Sequence, residues 1–512
     1  MRETVLVFDF GSQTAQLIAR RIRELGVYCE IVGHDISSAE ISTRQPTAII
    51  LSGGPSSVLD DMHPDMDAGI ATLNVPILGI CYGMQLLARL LKGQVEKGKQ
   101  REYGPAQIEI VKHGPIFEGM EDYLNVWMSH GDHVSEPPEG FEVMARTVSC
   151  PVAAMGNAER KIYGVQFHPE VVHTLRGMEI LRNFLYSVAG CSGGWTMEKF
   201  VEESVQSIRD KVKDANVICA LSGGIDSAVV AALIERAIGK QMKAVFVDNG
   251  LLRTDEVNEI HSIFSDDYPM DVTVVDARVR FLDSLDGVID PEKKRKAIGE
   301  TFIDVFKDET SHIKNAKFLA QGTLYPDVIE SQSAKGGPSS TIKSHHNVGG
   351  LPKDLGFELL EPLRELFKDE VRRLGRELGL PSRLLTRQPF PGPGLAVRII
   401  GEVSAESLST LRHADLIVQE EMVKYERYEE IWQSFAVLLP VKSVGVMGDE
   451  RTYANAVVLR VVSSMDGMTA DWVKLPHELL GRMSSRIINE VNGVNRVCYD
   501  ISSKPPGTIE WE

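Results

Sequence analysis

The chain is short of cysteine and has none in a metal-binding or oxidoreductase spacing. Among 512 residues there are six, at positions 29, 81, 150, 191, 219 and 498, and no pair forms CxxC. Structural zinc and redox couples need that spacing, and a disulfide scaffold needs a dense set. Scattered thiols fit a reducing compartment instead. No apolar run approaches the ~20 residues that cross a bilayer. The start, MRETVLVFDFG, passes from charged residues straight into a short strand-like run, so no secretory leader is expected. These absences together give the expectation of a soluble cytoplasmic protein with no membrane contact. Positive charge is also scarce. The 55 Lys and Arg against 72 Asp and Glu leave a net charge of −17, which argues against a protein that grips long nucleic acid through its phosphates. The one compact basic run, Lys293-Lys294-Arg295-Lys296, reads as a solvated helix face. Low-complexity tracts and fixed-period repeats are missing too.

What is present is hydrophobic residue enough (43%) for several cored domains. TVLVFDF, TAIILS and VPILGI are short apolar runs that end in turn residues, as buried parallel strands do, with amphipathic segments at 14–25 and 84–91. The Gly/Ser-rich AGCSGGW at 189–195 reads as an interdomain linker. A second series follows, with NVICAL, KAVFVD, VTVVDA and KFLAQG as strands. The polar stretch 331–352, SQSAKGGPSSTIKSHHNVGGLP, is too long for an ordinary connection and reads as a lid. PFPGPG then breaks the chain, and a smaller segment follows with FAVLLPV and AVVLRVV as strands. The expected class is α/β: two doubly wound, mostly parallel-sheet domains, at 1–190 and 191–387, followed by a smaller α+β C-terminal domain at 388–512.

The letters LSGG occur twice, and the flanks show that this is no duplication. After Gly54 comes a loop, PSSVLDDMHPD; after Gly224 comes a helix, IDSAVVAALIERAIG. At the second site a strand is followed by Ser222, Gly223, Gly224, Ile225, Asp226 and Ser227. Glycines let successive N–H groups face one point at the positive end of a helix, and two serines add donors: an anion cradle. The lysine of the common nucleotide loop is missing. Asp226 stands in the turn, where a bare carboxylate repels phosphate unless it holds a metal ion or an ordered donor. Mg²⁺ bound by Asp226 answers this. The competing reading is a plain N-terminal cap.

Near the first LSGG, PILGICYG places Cys81 between glycines at a strand-to-helix turn, the nucleophile-elbow pattern with Cys for Ser. In GVQFHPE, His168 and Glu170 are two apart and so point the same way from a strand end. His168 can take the thiol proton while Glu170 holds the imidazole tautomer. A backbone N–H of the Gly53-Gly54 loop, with that of Tyr82, can then form an oxyanion hole.

With these motifs in view, the whole chain resembles the glutamine-hydrolysing GMP synthetase family. Residues 1–190 resemble a class I glutamine amidotransferase through SGGP, GICYG, SHGDH and FHPE. That resemblance implies Cys81 as nucleophile with His168 and Glu170, Gly54 and Tyr82 as oxyanion donors, and Gln85, Ser129 and His130 as glutamine contacts. The middle part is similar to ATP pyrophosphatases through SGGIDS, which implies Ser222 to Ser227 on pyrophosphate, Val247 and Phe302 near adenine, and Lys368 with Asp369 near pyrophosphate. KPPGTIEWE and PFPGPG resemble the nucleotide-binding and dimerisation part of GMP synthetases, which implies Lys504, Glu510 and Arg253 as XMP contacts and a homodimer. The implied substrates are glutamine, ATP and XMP. Mg²⁺ would accompany ATP, and no organic prosthetic group is implied. Lid closure would couple the two chemistries, although Lys335 and Lys343 within the lid receive no role. The rival readings are an NAD synthetase, a tRNA thiolase and a non-enzymatic nucleotide sensor. The tail sequence, the scarcity of cysteine with the acidic charge, and the two complete constellations argue against them in turn.

Overall fold

The computed structural model describes residues 2–12, 14–333, 357–447, 450–464, 467 and 469–512. Most of the expected lid, with Lys335 and Lys343, lies outside the described residues. The chain forms two compact units, Met1–Phe200 and Val201–Glu512.

In the first unit β1 (Thr4–Asp9), α1 (Thr14–Glu24), β2 (Tyr28–Gly33), α2 (Ser38–Arg44), β3 (Ala48–Leu51), β4 (Ile77–Ile80) and α3 (Tyr82–Leu90) alternate. Then come β5 (Gln94–Ile110), β6 (Tyr123–Glu136), β7 (Glu142–Arg146), β8 (Ala154–Asn157), β9 (Ile162–Val165) and α4 (Gly177–Asn183). They build one nine-stranded sheet in the order β2-β1-β3-β4-β9-β8-β7-β5-β6. The first five strands of that order pair parallel. β3, β4 and β9 are buried along their whole length, which is why their sequences are unbroken apolar runs. The remaining strands pair antiparallel. In β6, Leu124, Val126 and Met128 point inward while Tyr123 and Asn125 face solvent, the alternation of a sheet covered on one face.

The segment 189–195 is not a loose tether. Trp195 is buried against Tyr28, with ring centroids 4.9 Å apart, and the Arg23 guanidinium lies 4.5 Å from its ring. Ser192 donates from its backbone and its hydroxyl to the Glu3 carboxylate. One aromatic anchor overrides the flexible composition around it.

α5 (Met197–Val212) spans the boundary, and the second unit continues with β10 (Asn216–Leu221), α6 (Ile225–Ile238), β11 (Met242–Asp248), α7 (Glu256–Ser262), β12 (Val272–Asp276), α8 (Arg278–Ser284) and α9 (Pro291–Thr310). β13 (Ala316–Ala320), α10 (Tyr325–Ser333), β14 (Glu358–Leu360), α11 (Lys368–Glu377) and α12 (Ser382–Leu385) complete its first part. The five strands make a wholly parallel sheet, β12-β11-β10-β13-β14. After PFPGPG come α13 (Ala405–Val423), β15 (Gln433–Met447), β16 (Glu450–Ser463), β17 (Asp471–Trp472), α14 (His477–Glu490) and β18 (Val494–Tyr499). β15 and β16 form a long antiparallel pair, with β17 antiparallel and β18 parallel to β16. Ile218, Val245 and Leu319 of the parallel sheet lie in one continuous core with Leu438, Val457 and Met483 of the C-terminal segment.

The basic run at 293–296 corrects the expectation of a solvated face. Lys294 is fully buried; its Nζ donates to the carbonyls of Ala396 (3.3 Å) and Ile399 (2.7 Å) and sits 2.5 Å from the Glu512 carboxylate. Arg295 donates to a main-chain oxygen of Glu512. A buried ammonium needs such partners, and burial pulls the pKa of Lys294 down against the pull of Glu512. Among the cysteines, five are buried and Cys498 is exposed.

Candidate active sites

Cys81 stands between the end of β4 and the first residue of α3 with φ 51° and ψ −106°. A residue other than glycine held there costs on the order of 1–3 kcal/mol, so its surroundings must impose it. They do. The Cys81 N–H donates to Val165 O (2.8 Å), and the Gly83 N–H to Ser52 O (3.1 Å). The flanking glycines are needed for approach: a Cβ on Gly79 would lie 2.7 Å from Gly83 O, and one on Gly83 would lie 2.5 Å from Leu51 O. Strand and helix thus meet backbone to backbone, with Cys81 at the turn between them.

His168 and Glu170 follow β9, next to β4 in the sheet. Nδ1 of His168 lies 2.7 Å from Oε1 of Glu170, whose side chain is wholly buried. That contact leaves Nε2 for the sulfur. The His168 backbone is tied at both ends, its N–H donating to Trp127 O (3.0 Å) and its carbonyl accepting from the Thr174 hydroxyl (2.6 Å). Burial alone would lower the imidazole pKa, but hydrogen bonds to Cys81 and Glu170 outweigh it and push it up to about 10. Gly53 is pressed against the pair, since a Cβ there would meet His168 Cε1 at 3.0 Å and Cys81 Cβ at 3.9 Å. Gly54 packs on Phe10 and the Tyr82 ring. Tyr82 opens α3, so its N–H has no partner within the helix.

Gln85 and His130 are both buried. Gln85 Nε2 donates to Asp132 O (2.7 Å) and to Gln166 Oε1 (3.2 Å). His130 lies between Asp132 O (3.0 Å) and the Glu102 carboxylate (3.2 Å), and burial chiefly lowers its pKa. Ser129 offers its carbonyl to Cys81 Sγ at 3.6 Å. Gln166, not singled out in the sequence, donates from Nε2 to the same sulfur at 3.6 Å. Its position two residues before His168 was the available signal.

In the second unit the SGGIDS loop joins β10 to α6. Gly223 has φ +77°, and Gly224 is the N-cap of α6 with no side-chain cap. The hydroxyls of Ser222 and Ser227 are 3.1 Å apart, and that of Ser227 accepts from the Ser222 N–H (3.1 Å). The Asp226 carboxylate does not cap the helix. Both its oxygens lie 2.6 Å from Nζ of Lys368, at the start of α11. The resemblance paired Lys368 with Asp369; Lys368 reaches the loop, while Asp369 lies 3.5 Å from Arg373 one turn on. Arg387 also holds the loop, donating to Gly223 O (3.0 Å) and pairing with Glu256 (2.9 Å). Val247 is buried in β11, and Phe302 packs against the same core, stacked on Phe306.

The fit to a magnesium ion can be judged from Asp226. Among the described residues no group of three or more His, Cys, Asp or Glu side chains could enclose a metal. Mg²⁺ asks for less: one or two carboxylates with substrate phosphates and water. A single part-exposed carboxylate at a helix start fits that donor set in kind, and Mg²⁺ there would have to displace the Lys368 ammonium from its oxygens.

At the C-terminus Glu510 accepts a two-pronged bond from the fully buried Arg398 (2.9 and 3.0 Å) and one from Gln433 Nε2 (2.9 Å). Arg253 pairs with the buried Asp415 (2.8 Å), and its guanidinium lies 5.0 Å from the Phe390 ring, with Arg398 at 5.2 Å from that ring. Phe390 therefore links Arg253 to the Glu510 cluster. Lys504 Nζ donates to Gly467 O (2.8 Å). The fully buried Arg460 donates to the carbonyls of Ser502 (2.6 Å) and Thr508 (3.0 Å). Arg387, Arg398, Asp415 and Gln433 carry no sequence signal of their own; only the fold brings them to these places.

Comparison with known proteins finds three family matches along the chain. The family model described as Glutamine amidotransferase class-I matches residues 6–188, that of NAD synthase residues 197–278, and that of GMP synthase C terminal domain residues 420–511. The chain is 59% identical over 511 residues to a GMP synthase (glutamine-hydrolyzing) of Caldanaerobacter subterraneus subsp. tengcongensis, covering 100% of this chain and 99% of the relative. It is 58% identical to a protein of the same name from Maridesulfovibrio salexigens, with 99% of each covered. The NAD synthase match ends before the C-terminal segment, so the SGGIDS loop is the shared part and the tail separates the families.

Proposed function

The chain belongs to the glutamine-hydrolysing GMP synthase family, and from that premise we propose how its residues divide the reaction. The enzyme is a ligase that aminates XMP to GMP with glutamine as nitrogen donor and ATP as the activating substrate. In the first unit Cys81 attacks the glutamine amide carbon, with the proton passing to His168. The oxyanion so formed is held by backbone N–H groups of Gly54 and Tyr82. Its collapse breaks the C–N bond, His168 returns the proton to the leaving ammonia, and water hydrolyses the glutamyl thioester. Glu170 holds the imidazole, while Gln85, Ser129 and His130 position glutamine.

In the second unit the purine oxygen of XMP attacks the α-phosphorus of ATP and expels pyrophosphate, which the Ser222–Ser227 loop receives with Lys368 and Asp369. Asp226 would hold Mg²⁺, which when bound neutralises phosphate charge. Val247 and Phe302 flank adenine. Arg253, Lys504 and Glu510 hold XMP, with Arg398 and Gln433 fixing Glu510. Ammonia then adds at carbon 2 and AMP departs. We assign residues 1–190, 191–387 and 388–512 to glutamine hydrolysis, adenylation and XMP binding. The further reading is a cytoplasmic homodimer joined through its C-terminal part. No described helix is long and apolar enough to cross a membrane.

The observation that carries the reading is the strained Cys81 elbow bonded to a buried His168–Glu170 pair, on the same chain as a glycine loop whose aspartate is turned away from capping. The test is pyrophosphate release and nucleotide product with Mg·ATP, comparing XMP, deamido-NAD and IMP, in the parent and in Cys81→Ala. Turnover is expected with XMP alone; Cys81→Ala should keep it with ammonium and lose it with glutamine. Turnover with deamido-NAD, or a Cys81→Ala variant still fed by glutamine, overturns the assignment.

A further inference from the structure

We propose that Gln166 is a catalytic residue: its side-chain N–H, aimed by a two-amide relay, holds the Cys81 sulfur in its reactive anionic form. This rests on the reading of Cys81 as the glutaminase nucleophile. The direction of the relay follows from one atom. The backbone carbonyl of Asp132 can only accept, so the group of Gln85 that faces it at 2.7 Å is the NH₂. The same Nε2 lies 3.2 Å from the Gln166 side chain, which therefore presents its oxygen there. The Gln166 NH₂ is left facing Cys81 Sγ at 3.6 Å. Turning Gln85 over would set its oxygen against that of Asp132, and turning Gln166 over would set its NH₂ against that of Gln85.

The sulfur has need of that donor. Its other close backbone neighbour, the Ser129 carbonyl at 3.6 Å, accepts from a thiol and repels a thiolate. The ionisable groups that interact with Cys81 include His168, with Glu170 behind it, and the buried Cys150. His168 donates to the anion, but it must surrender its proton to the departing ammonia. Gln166 cannot titrate, so its N–H stays on the sulfur through attack, thioester collapse and return. No proton leaves the amide and no bond to it forms. Gln166 is fully buried and Gln85 nearly so, hence water does not stand in for either. The placement is written into the chain: Gln166 and His168 are two apart after β9 and so reach the sulfur from one side.

The experiment follows the rate at which iodoacetamide alkylates Cys81, read by mass spectrometry of the Cys81 peptide across pH. It uses the full-length parent, Gln166→Met and Gln166→Glu. A hydrogen bond to a charged atom corresponds to about one to two pH units. In Gln166→Met the alkylation midpoint is expected to rise by about one unit. Glutaminase kcat should fall about tenfold with KM for glutamine within about twofold, while GMP formation from ammonium is unchanged. Gln166→Glu keeps the shape, sets a carboxylate against the sulfur, and should move the midpoint further. It also supplies the answer if the methionine variant fails to fold. An unmoved alkylation profile in the folded variants, whatever happens to turnover, reduces Gln166 to a packing role and overturns the proposal. Glutaminase activity surviving in Cys81→Ala would instead remove the nucleophile reading beneath it, a separate and separately visible failure.

Discussion

Replacing Gly83 with alanine tests whether the Cys81 elbow is held by backbone contact. The added Cβ would stand 2.5 Å from Leu51 O, 2.6 Å from Leu51 Cβ and 2.8 Å from Leu51 C, against 3.4 Å for ordinary contact. The obstacle is main chain and cannot swing aside, so β3 and the first turn of α3 must part by about 0.9 Å. That turn carries the N–H of Tyr82 and follows directly from Cys81, and the Gly83 N–H is itself bonded to Ser52 beside the Gly53-Gly54 loop. The displacement falls on the proposed nucleophile and the proposed oxyanion donors together. A misplacement of about 1 Å costs on the order of 10²-fold in rate, and overpacking costs about 1–3 kcal/mol of stability. Glutamate release from glutamine should fall about a hundredfold. The urea midpoint of the first unit should drop, and GMP formation from ammonium should stay within about twofold because the sheet proposed to carry adenylation belongs to the other compact unit. Glutaminase activity within threefold of the parent would refute the claim that close backbone approach sets the elbow.

Glu170→Gln takes the charge out of one of the two bonds that raise the His168 pKa to about 10. Since the folded-state value lies above 6.5, the stability His168 contributes is complete below pH 6.5 and is lost as pH rises through about 10. The parent should therefore exceed Glu170→Gln by on the order of 1–3 kcal/mol below pH 6.5 and by less at pH 10, in urea titrations at both pH values. A gap that widened with pH would contradict the ion-pair picture. Asp226→Asn should abolish pyrophosphate release with XMP and leave glutaminase turnover within about threefold. It also strips the Lys368 ammonium of its partner, so salt dependence of ATP binding should change. Gly481 lies within α14 with open space where a Cβ would stand, so Gly481→Ala should raise stability by about 0.5–1 kcal/mol, measured by urea denaturation.

Legibility in the sequence tracked locality. Cys81 between its glycines, His168 with Glu170, and Ser222 to Ser227 are each set by a few consecutive residues, so turn chemistry and strand period expose them. The parallel strands were visible as unbroken apolar runs. The antiparallel strands β5 to β8 were not named, because half-buried alternation is a weaker signal than continuous hydrophobicity. Lys294 was misread because a basic run gives no hint that one member meets a carboxylate 218 positions away. Arg398 and Gln433 escaped for the same reason, their meeting at Glu510 being 112 and 77 positions distant. Gln166 lies within reach of the same strand-period argument as His168, but an amide does not announce chemistry as a histidine does.

The core that joins the parallel sheet to the C-terminal segment limits how this architecture can be remodelled. Leu395, Leu438 and Met483 pack in one apolar body with Ile218 and Val245, so cutting near PFPGPG would bare an oily face on both pieces. A chimera that borrowed another enzyme's acceptor-recognising tail would have to match that face side chain by side chain before it met any substrate. On the proposed division of roles, the ammonia source lies in a compact unit of its own and could be exchanged whole, whereas the choice of acceptor would have to drift by point substitution within a body that shares one core.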